Sequence, residues 1–379
     1  MTNSTSLVHQ SSVIISFAST RTAASCSPIT SLLFLMDKLK LKMRVTKNKK
    51  PTHVFSTSSD ELVIMWKINQ FSSLRPYHLS PVKQLKGHSN SVYCALVNPY
   101  TPIVNELVTG SSDETIRVWD IALGTLSNTF KSNQAIMCLA WWKQGQFLIE
   151  GGDSNPYEIH IRNWRKNKLV VQGDVVKTLK GHSASVQSLI VYEDDPNEQL
   201  LISASNDHDI RIWNLETGQL VKVIDGHSTL VSICKLNFNK DIFACAGSSN
   251  DIYFWSIKTG ACVHKINDAH SDWVRQIMYL KDRQWLVSSG DDKTVKVWKI
   301  NTLGSQITDT ELVRTITNPF EEWCCNIVLL DAFESDGDGT TMLVGDDKGN
   351  MFTCDLKTGE IIQQVAHAHA GTQWGFAFM

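Results

Sequence analysis

Residues 113–119 read Asp-Glu-Thr-Ile-Arg-Val-Trp, an acidic turn residue followed by an alternating apolar run that ends in tryptophan. The same six-residue step recurs from Asp60 to Trp66, from Asp207 to Trp213 and from Asp292 to Trp298. Trp255 closes a similar run, with Ser249 where the aspartate would stand. Upstream of most of these steps lies Gly-His or Ala-His: Gly87-His88, Gly181-His182, Gly226-His227 and Ala269-His270. With Trp164 included, the tryptophans follow one another at intervals of 42 to 53 residues. Such a spacing marks a chain of supersecondary units that stack on one another.

Each period divides into four short strands. One example is Val92–Val97, Leu107–Gly110, Thr115–Trp119 and Leu126–Lys131. Alternation with period two, β-branched residues and Asn/Asp/Gly punctuation favour strands over helices. No sizeable helical pattern follows residue 50.

In these features the sequence resembles the WD-repeat family, whose units begin in Gly-His and end in Trp-Asp. Trp119-Asp120 is the one literal match to the name, and at Trp66, Trp213, Trp255 and Trp298 the tryptophan is followed by Lys, Asn or Ser. The resemblance covers roughly residues 51–379 and implies an all-β, seven-bladed β-propeller of four-stranded antiparallel blades. It also implies that Trp, Ser or Thr, His and Asp of one blade form a hydrogen-bonded chain. Matched by position, blade two would use Trp119, Thr109, His88 and Asp113; blade four Trp213, Ser203, His182 and Asp207; blade six Trp298, Ser288, His270 and Asp292. These residues are then structural rather than catalytic. Blade three lacks the Gly-His pair and carries an insertion around Ser154–Tyr157, blade five has Cys245 and Ser249 at two positions, and blade seven has Cys354 where the tryptophan belongs.

Seven units carry the two middle strands, but eight stretches qualify as innermost strand, the surplus being Lys38–Thr46 or Gln373–Met379. Two arguments select the C-terminal stretch. The first blade has Ser56, Asp60 and Trp66 but no Gly-His or Ala-His pair shortly before them, and His369 can supply the histidine. Lys38, Lys40, Lys42 and Arg44 share one face of the other stretch, and four cations between packed blades would be very costly. The expected organisation is a disordered leader (1–37), a basic arm (38–50) and a propeller (51–379) closed by Gln373–Met379.

The formal net charge of −2 conceals a division. Residues 1–50 hold eight basic and one acidic side chain, and the remainder holds 28 and 37. The balance argues against a general nucleic-acid coat, and no apolar run reaches the 18 or more residues of a spanning helix. Nine cysteines without paired spacing do not form the framework of a small secreted domain, so a cytoplasmic or nuclear location is expected.

No phosphate loop, nucleophile elbow, zinc-helix motif or dinucleotide fingerprint is present in the sequence. Asp336-Gly337-Asp338-Gly339 lacks the later glycine and closing glutamate of a calcium loop. No catalytic residue, metal ligand or cofactor is therefore expected. What remains is surface. Carried over by position, Trp273, Trp323 and Trp374 fall where the innermost strands of blades six, seven and one begin, with Asp272, Asp291, Glu321 and Glu322 close in sequence. Tryptophan is enriched at binding hot spots, so this face is a candidate for protein partners and for basic peptides held by cation–π and ion-pair contacts. The resemblance implies a non-enzymatic scaffold or adaptor in a larger complex. Narrower alternatives are a substrate receptor of a ubiquitin ligase and a G-protein β-like signalling subunit. Trp119-Asp120 is followed by Ile121-Ala122 rather than the x-Arg of some such receptors, and no heptad helix precedes the repeats.

Overall fold

The computed structural model describes residues 52–69, 78–98, 106–164, 172–195, 198–225, 230–236, 239–317, 322–330 and 341–378. The leader, the basic arm, His227, Glu321 and the 336–339 turn lie outside the described residues.

The repeats fold as seven four-stranded antiparallel sheets, the blades of a β-propeller. Blade two comprises Val92–Val97, Glu106–Ser111, Thr115–Asp120 and Thr125–Lys131, from the centre outward, within a residue or so of expectation. The outer strand of blade two alternates little and is almost wholly exposed, whereas the second strand is buried along nearly its whole length. One short 3-10 turn, Lys281–Arg283, is the only helix among the described residues.

The hairpin between the middle strands explains the recurring aspartate. Asp60, Asp113, Asp207 and Asp292 each accept, through Oδ1, the backbone N–H two residues on. That Asx turn places the intervening Glu61, Glu114, His208 and Lys293 at φ between 63° and 74°. A non-glycine residue tolerates this left-handed conformation only with such local support.

The core lies between blades rather than within them. Phe55, Val63 and Ala377 of blade one pack with Val92, Leu107 and Trp119 of blade two. On the other side, Val54 and Trp66 pack with Val328, Leu343 and Met351 of blade seven. In blades two and three the second strand carries glycine where the next sheet approaches closely. A Cβ on Gly110 would lie 2.4 Å from Ile136, and one on Gly151 would lie 2.8 Å from Val186.

Blade one closes the ring by joining the first and last strands of the described residues. Gln373–Phe378 pairs antiparallel with His53–Ser58, with Phe55 opposite Ala377 and Ser56 opposite Phe376. His53–Ser58 then pairs with Val63–Asn69, and that strand with His78–Leu85. The C-terminal stretch is thus the innermost strand, and no sheet edge is left open at the seam.

Candidate functional site

Four blades contain the same hydrogen-bonded chain. In blade two Trp119 Nε1–H donates to Thr109 Oγ1 (2.9 Å), Thr109 Oγ1 lies 2.8 Å from His88 Nε2, and His88 Nδ1 lies 2.8 Å from Asp113. Trp213, Ser203, His182 and Asp207 repeat it at 2.9, 2.8 and 2.8 Å. Trp298, Ser288, His270 and Asp292 do so at 2.9, 2.7 and 2.9 Å. In blade one the chain runs from Trp66 to Ser56 (2.8 Å), His369 (2.7 Å) and Asp60 (3.0 Å), across 309 residues of sequence between the last two. With the indole donating to the hydroxyl, a neutral imidazole satisfies every atom when Oγ–H donates to Nε2 and Nδ1–H donates to the carboxylate. The serine or threonine is fully buried in all four blades, so these side chains are consumed by the frame.

Burial pushes the Asp113 and Asp292 carboxyls up, but bonds from Thr115 and His88, and from His270 and Thr294, outweigh it and bring both to about 2. Burial lowers His88 below its ordinary value. An unfolded aspartate titrates near ~3.9, so the folded state binds fewer protons below that. Stability is fully present above about pH 4 and drains away as pH falls toward about 2. Depressed His88 acts in the same direction, because its contribution is also lost as pH falls. The thermal midpoint is therefore expected to drop steeply between about pH 4 and 2, and the drop is expected to be shallower in Asp113→Asn. A wild-type midpoint that stays level through that range contradicts this.

Blade three departs from the expectation built on Trp164. The register sets Arg162 opposite Leu148, as Trp119 is set opposite Leu107. Arg162 therefore holds the tryptophan position, and Glu150 holds that of Thr109. Trp164, two residues further on, packs edge-on to Trp141 and Phe130 instead. The replacement chain is ionic: Arg162 Nε and Nη2 donate to Glu150 at 2.8 and 2.9 Å, Glu150 meets His160 at 2.7 Å, and His160 meets Glu158 at 3.2 Å. All four residues are buried. Aligning Phe147–Gly152 with Glu106–Ser111 makes the Glu150 substitution readable from sequence, a signal the tryptophan spacing obscured.

The proposed binding face resolves into two aromatic groups. Trp273 and Trp323 are exposed by 37% and 43%, and Arg275 lies between them, its guanidinium carbon 5.1 and 5.6 Å from the ring centres. Asp291 fixes that guanidinium with a fork of two bonds, Nε–Oδ1 at 2.6 Å and Nη2–Oδ2 at 2.5 Å. Burial of Arg275 opposes its charge, and the Asp291 bonds more than restore it. Trp374 does not join this stack; it meets Tyr93 of blade two edge-on at 5.5 Å. Glu322 pairs with Lys348, and Asp272 accepts the Trp273 backbone N–H at 2.8 Å. Asp291 and Glu322 thus already hold cations of the chain itself, and exposed Asp272 is the carboxylate left facing solvent. Sequence reasoning missed Arg275, although it stands two residues after Trp273 in an alternating strand.

Among the described residues eight cysteines are free thiols, and burial raises Cys94, Cys234, Cys325 and Cys354 to about 12. Such thiols are poor nucleophiles at neutral pH. No group of three or more metal-ligating side chains occurs among the described residues, and none of their helices is long and apolar enough to cross a membrane.

The family described as WD domain, G-beta repeat matches residues 79–120, 173–214, 218–256 and 260–299. The first match begins on the outer strand of blade one and ends on the third strand of blade two, so the sequence unit is offset from the blade. Among curated proteins, the nuclear distribution protein nudF of Aspergillus niger is 27% identical over 216 residues, 57% of this chain and 37% of that protein. Nuclear distribution protein nudF 1 of Talaromyces marneffei is 32% identical over 38% of this chain and 29% of its own length. Nuclear distribution protein PAC1 of Arthroderma otae is 25% identical over 53% and 35%. The chain spans about a third of the length of these relatives. The chain thus carries four matched WD repeats on a seven-bladed β-propeller.

Proposed function

We propose that the protein is a non-enzymatic scaffold whose partners dock on the face built by Trp273, Arg275 and Trp323. The observation that carries this reading is the pair of exposed indoles held apart by an arginine that Asp291 fixes in place. Rigid, preorganised aromatic and arginine side chains lose little entropy on binding and dominate interface energetics. The histidines and aspartates that might suggest chemistry belong to the blade frame, which supports the non-enzymatic reading. With Arg275 filling the space between the indoles, a basic peptide would find Asp272 and the outer ring faces, and a partner of mixed charge fits the stack better. The similarity to the nuclear distribution proteins supports a scaffold role of this general kind.

The test is quantitative affinity purification of the wild type beside Trp323→Ala and Trp273→Ala. Each substitution is expected to lose a defined set of partners by about tenfold or more, ~1.4 kcal/mol or above, with an unchanged melting curve. Retention of every partner by both folded variants would sink the reading.

A further inference from the structure

In each blade one residue is paired across from the position of the buried serine or threonine and stands two residues before the motif-tryptophan position. In six blades it is long or aromatic: Arg117, His160, Arg211, Tyr253, Lys296 and Phe352. In blade one it is Ile64, opposite Ser56. Beside Ile64 the surface opens into a groove of about 380 Å³, walled by Trp66, Val82, Gln84, Ala366 and Ala368. That volume falls in the ~300–1,000 Å³ range of ligand pockets.

Blade six shows what fills the equivalent space. There Lys296 Nζ donates to the Ala269 carbonyl at 2.6 Å and stands 3.9 Å from Asp292. The loop leading to the histidine has the same construction in both blades. Asp268 and His367 take φ of 47° and 51°. The backbone N–H of His270 and of His369 donates to Asn250 and Gly349 carbonyls at 3.0 and 3.1 Å. Ala368 therefore occupies the place of Ala269. Blades two and four differ: glycine stands there, and a Cβ on Gly87 or Gly181 would lie 2.4 Å from the Arg117 or Arg211 guanidinium. Glycine thus accompanies arginine in blades two and four, and alanine accompanies lysine in blade six. Lys83, which also lines the groove, is held away by the Leu123 carbonyl at 2.6 Å.

We propose that the blade-one groove is a docking site for a lysine side chain of a partner peptide, which places over Trp66, beside Ala368 and Asp60, the ammonium that Ile64 omits. The site is separate from the Trp273–Arg275–Trp323 stack and stands or falls without it.

The probe is the peptide acetyl-Gly-Lys-Gly-amide, titrated at pH 7.5 into the full chain carrying ¹⁵N-labelled tryptophan. The Trp66 indole resonance, identified from Trp66→Phe, reports binding. A saturable shift is expected with the lysine peptide, about tenfold weaker with its Nε-acetyl form, ~1.4 kcal/mol. Ile64→Lys, which supplies the cation from the strand itself, is expected to remain folded and to abolish the shift. Val82→Trp, at a position 49% exposed, blocks the groove without touching the core and should do the same, whereas Trp323→Ala should leave the shift intact. Absence of a saturable Trp66 shift, an equal response to the acetylated peptide, or a shift retained in the folded variants of Ile64 and Val82 overturns the proposal.

Discussion

A chain ending at residue 368 is expected to melt at least ~10 °C below the full-length protein, corresponding to about 5 kcal/mol or more at roughly 2 °C per kcal/mol for a domain of this size. Three losses combine. The innermost strand of blade one disappears, leaving the inner edge of His53–Ser58 without the partner it has along its length. Ala377 leaves the packing against blade two and Phe376 that against blade seven, so both seams beside blade one are thinned. Without His369, buried Ser56 and the Asp60 carboxylate lose the imidazole that joins them; an unsatisfied buried polar group costs about 1–3 kcal/mol. Calorimetry or circular dichroism reads the result, and a midpoint within a degree or two of wild type excludes the seam as a source of stability.

Glu150→Gln in blade three is expected to lower the midpoint by roughly 6–10 °C, more than Thr109→Val in blade two. The positions correspond, but the chemistry differs. Thr109 joins neutral and singly charged groups, and its loss costs about 1–3 kcal/mol. Glu150 is fully buried and neutralises Arg162 through two bonds. Removing one partner of a buried ion pair costs about 3–5 kcal/mol, because the other charge stays behind. The variant also changes the pH profile. Burial lowers the His160 pKa, but its bonds to Glu150 and Glu158 outweigh this and raise it above 6.5. A raised histidine contributes stability that is fully present below its unfolded pKa and is lost as pH rises through the folded one. Wild type should therefore lose a little stability on the alkaline side of about pH 6.5, and Glu150→Gln should not. Equal melting of the Glu150 and Thr109 variants would show that the ionic chain is no more than a substitute for the neutral one.

Much of the frame is legible in the sequence because it rests on local rules. The aspartate turn, the alternating strand and the closing tryptophan sit within a few residues of one another, so blades two, four and six can be assembled by position. The partnership of Ser56, Asp60 and Trp66 with His369 spans nearly the whole chain, yet it is readable because no Gly-His or Ala-His pair stands shortly before Ser56 while Ala368-His369 stands just before the last strand. Blade three was misread because the strongest visual cue, Trp164, is not the residue at the motif position; only strand register shows that Arg162 is. The face was legible as a set of residue types near one another, but not as geometry. Nothing in the spacing tells that Arg275 inserts between Trp273 and Trp323, or that Trp374 turns to Tyr93, because those contacts depend on how neighbouring blades are rotated. The blade-one groove is legible only after the register pairs Ile64 with Ser56.

Hydrogen–deuterium exchange of the His53–Ser58 amides most directly tests closure by the last strand. In the full-length protein these amides are predicted to be as strongly protected as those of Glu106–Ser111, the corresponding strand of blade two. In the chain ending at residue 368 that protection should fall sharply while Glu106–Ser111 stays protected. Protection of His53–Ser58 that is the same with and without residues 369–379 would contradict the closed ring.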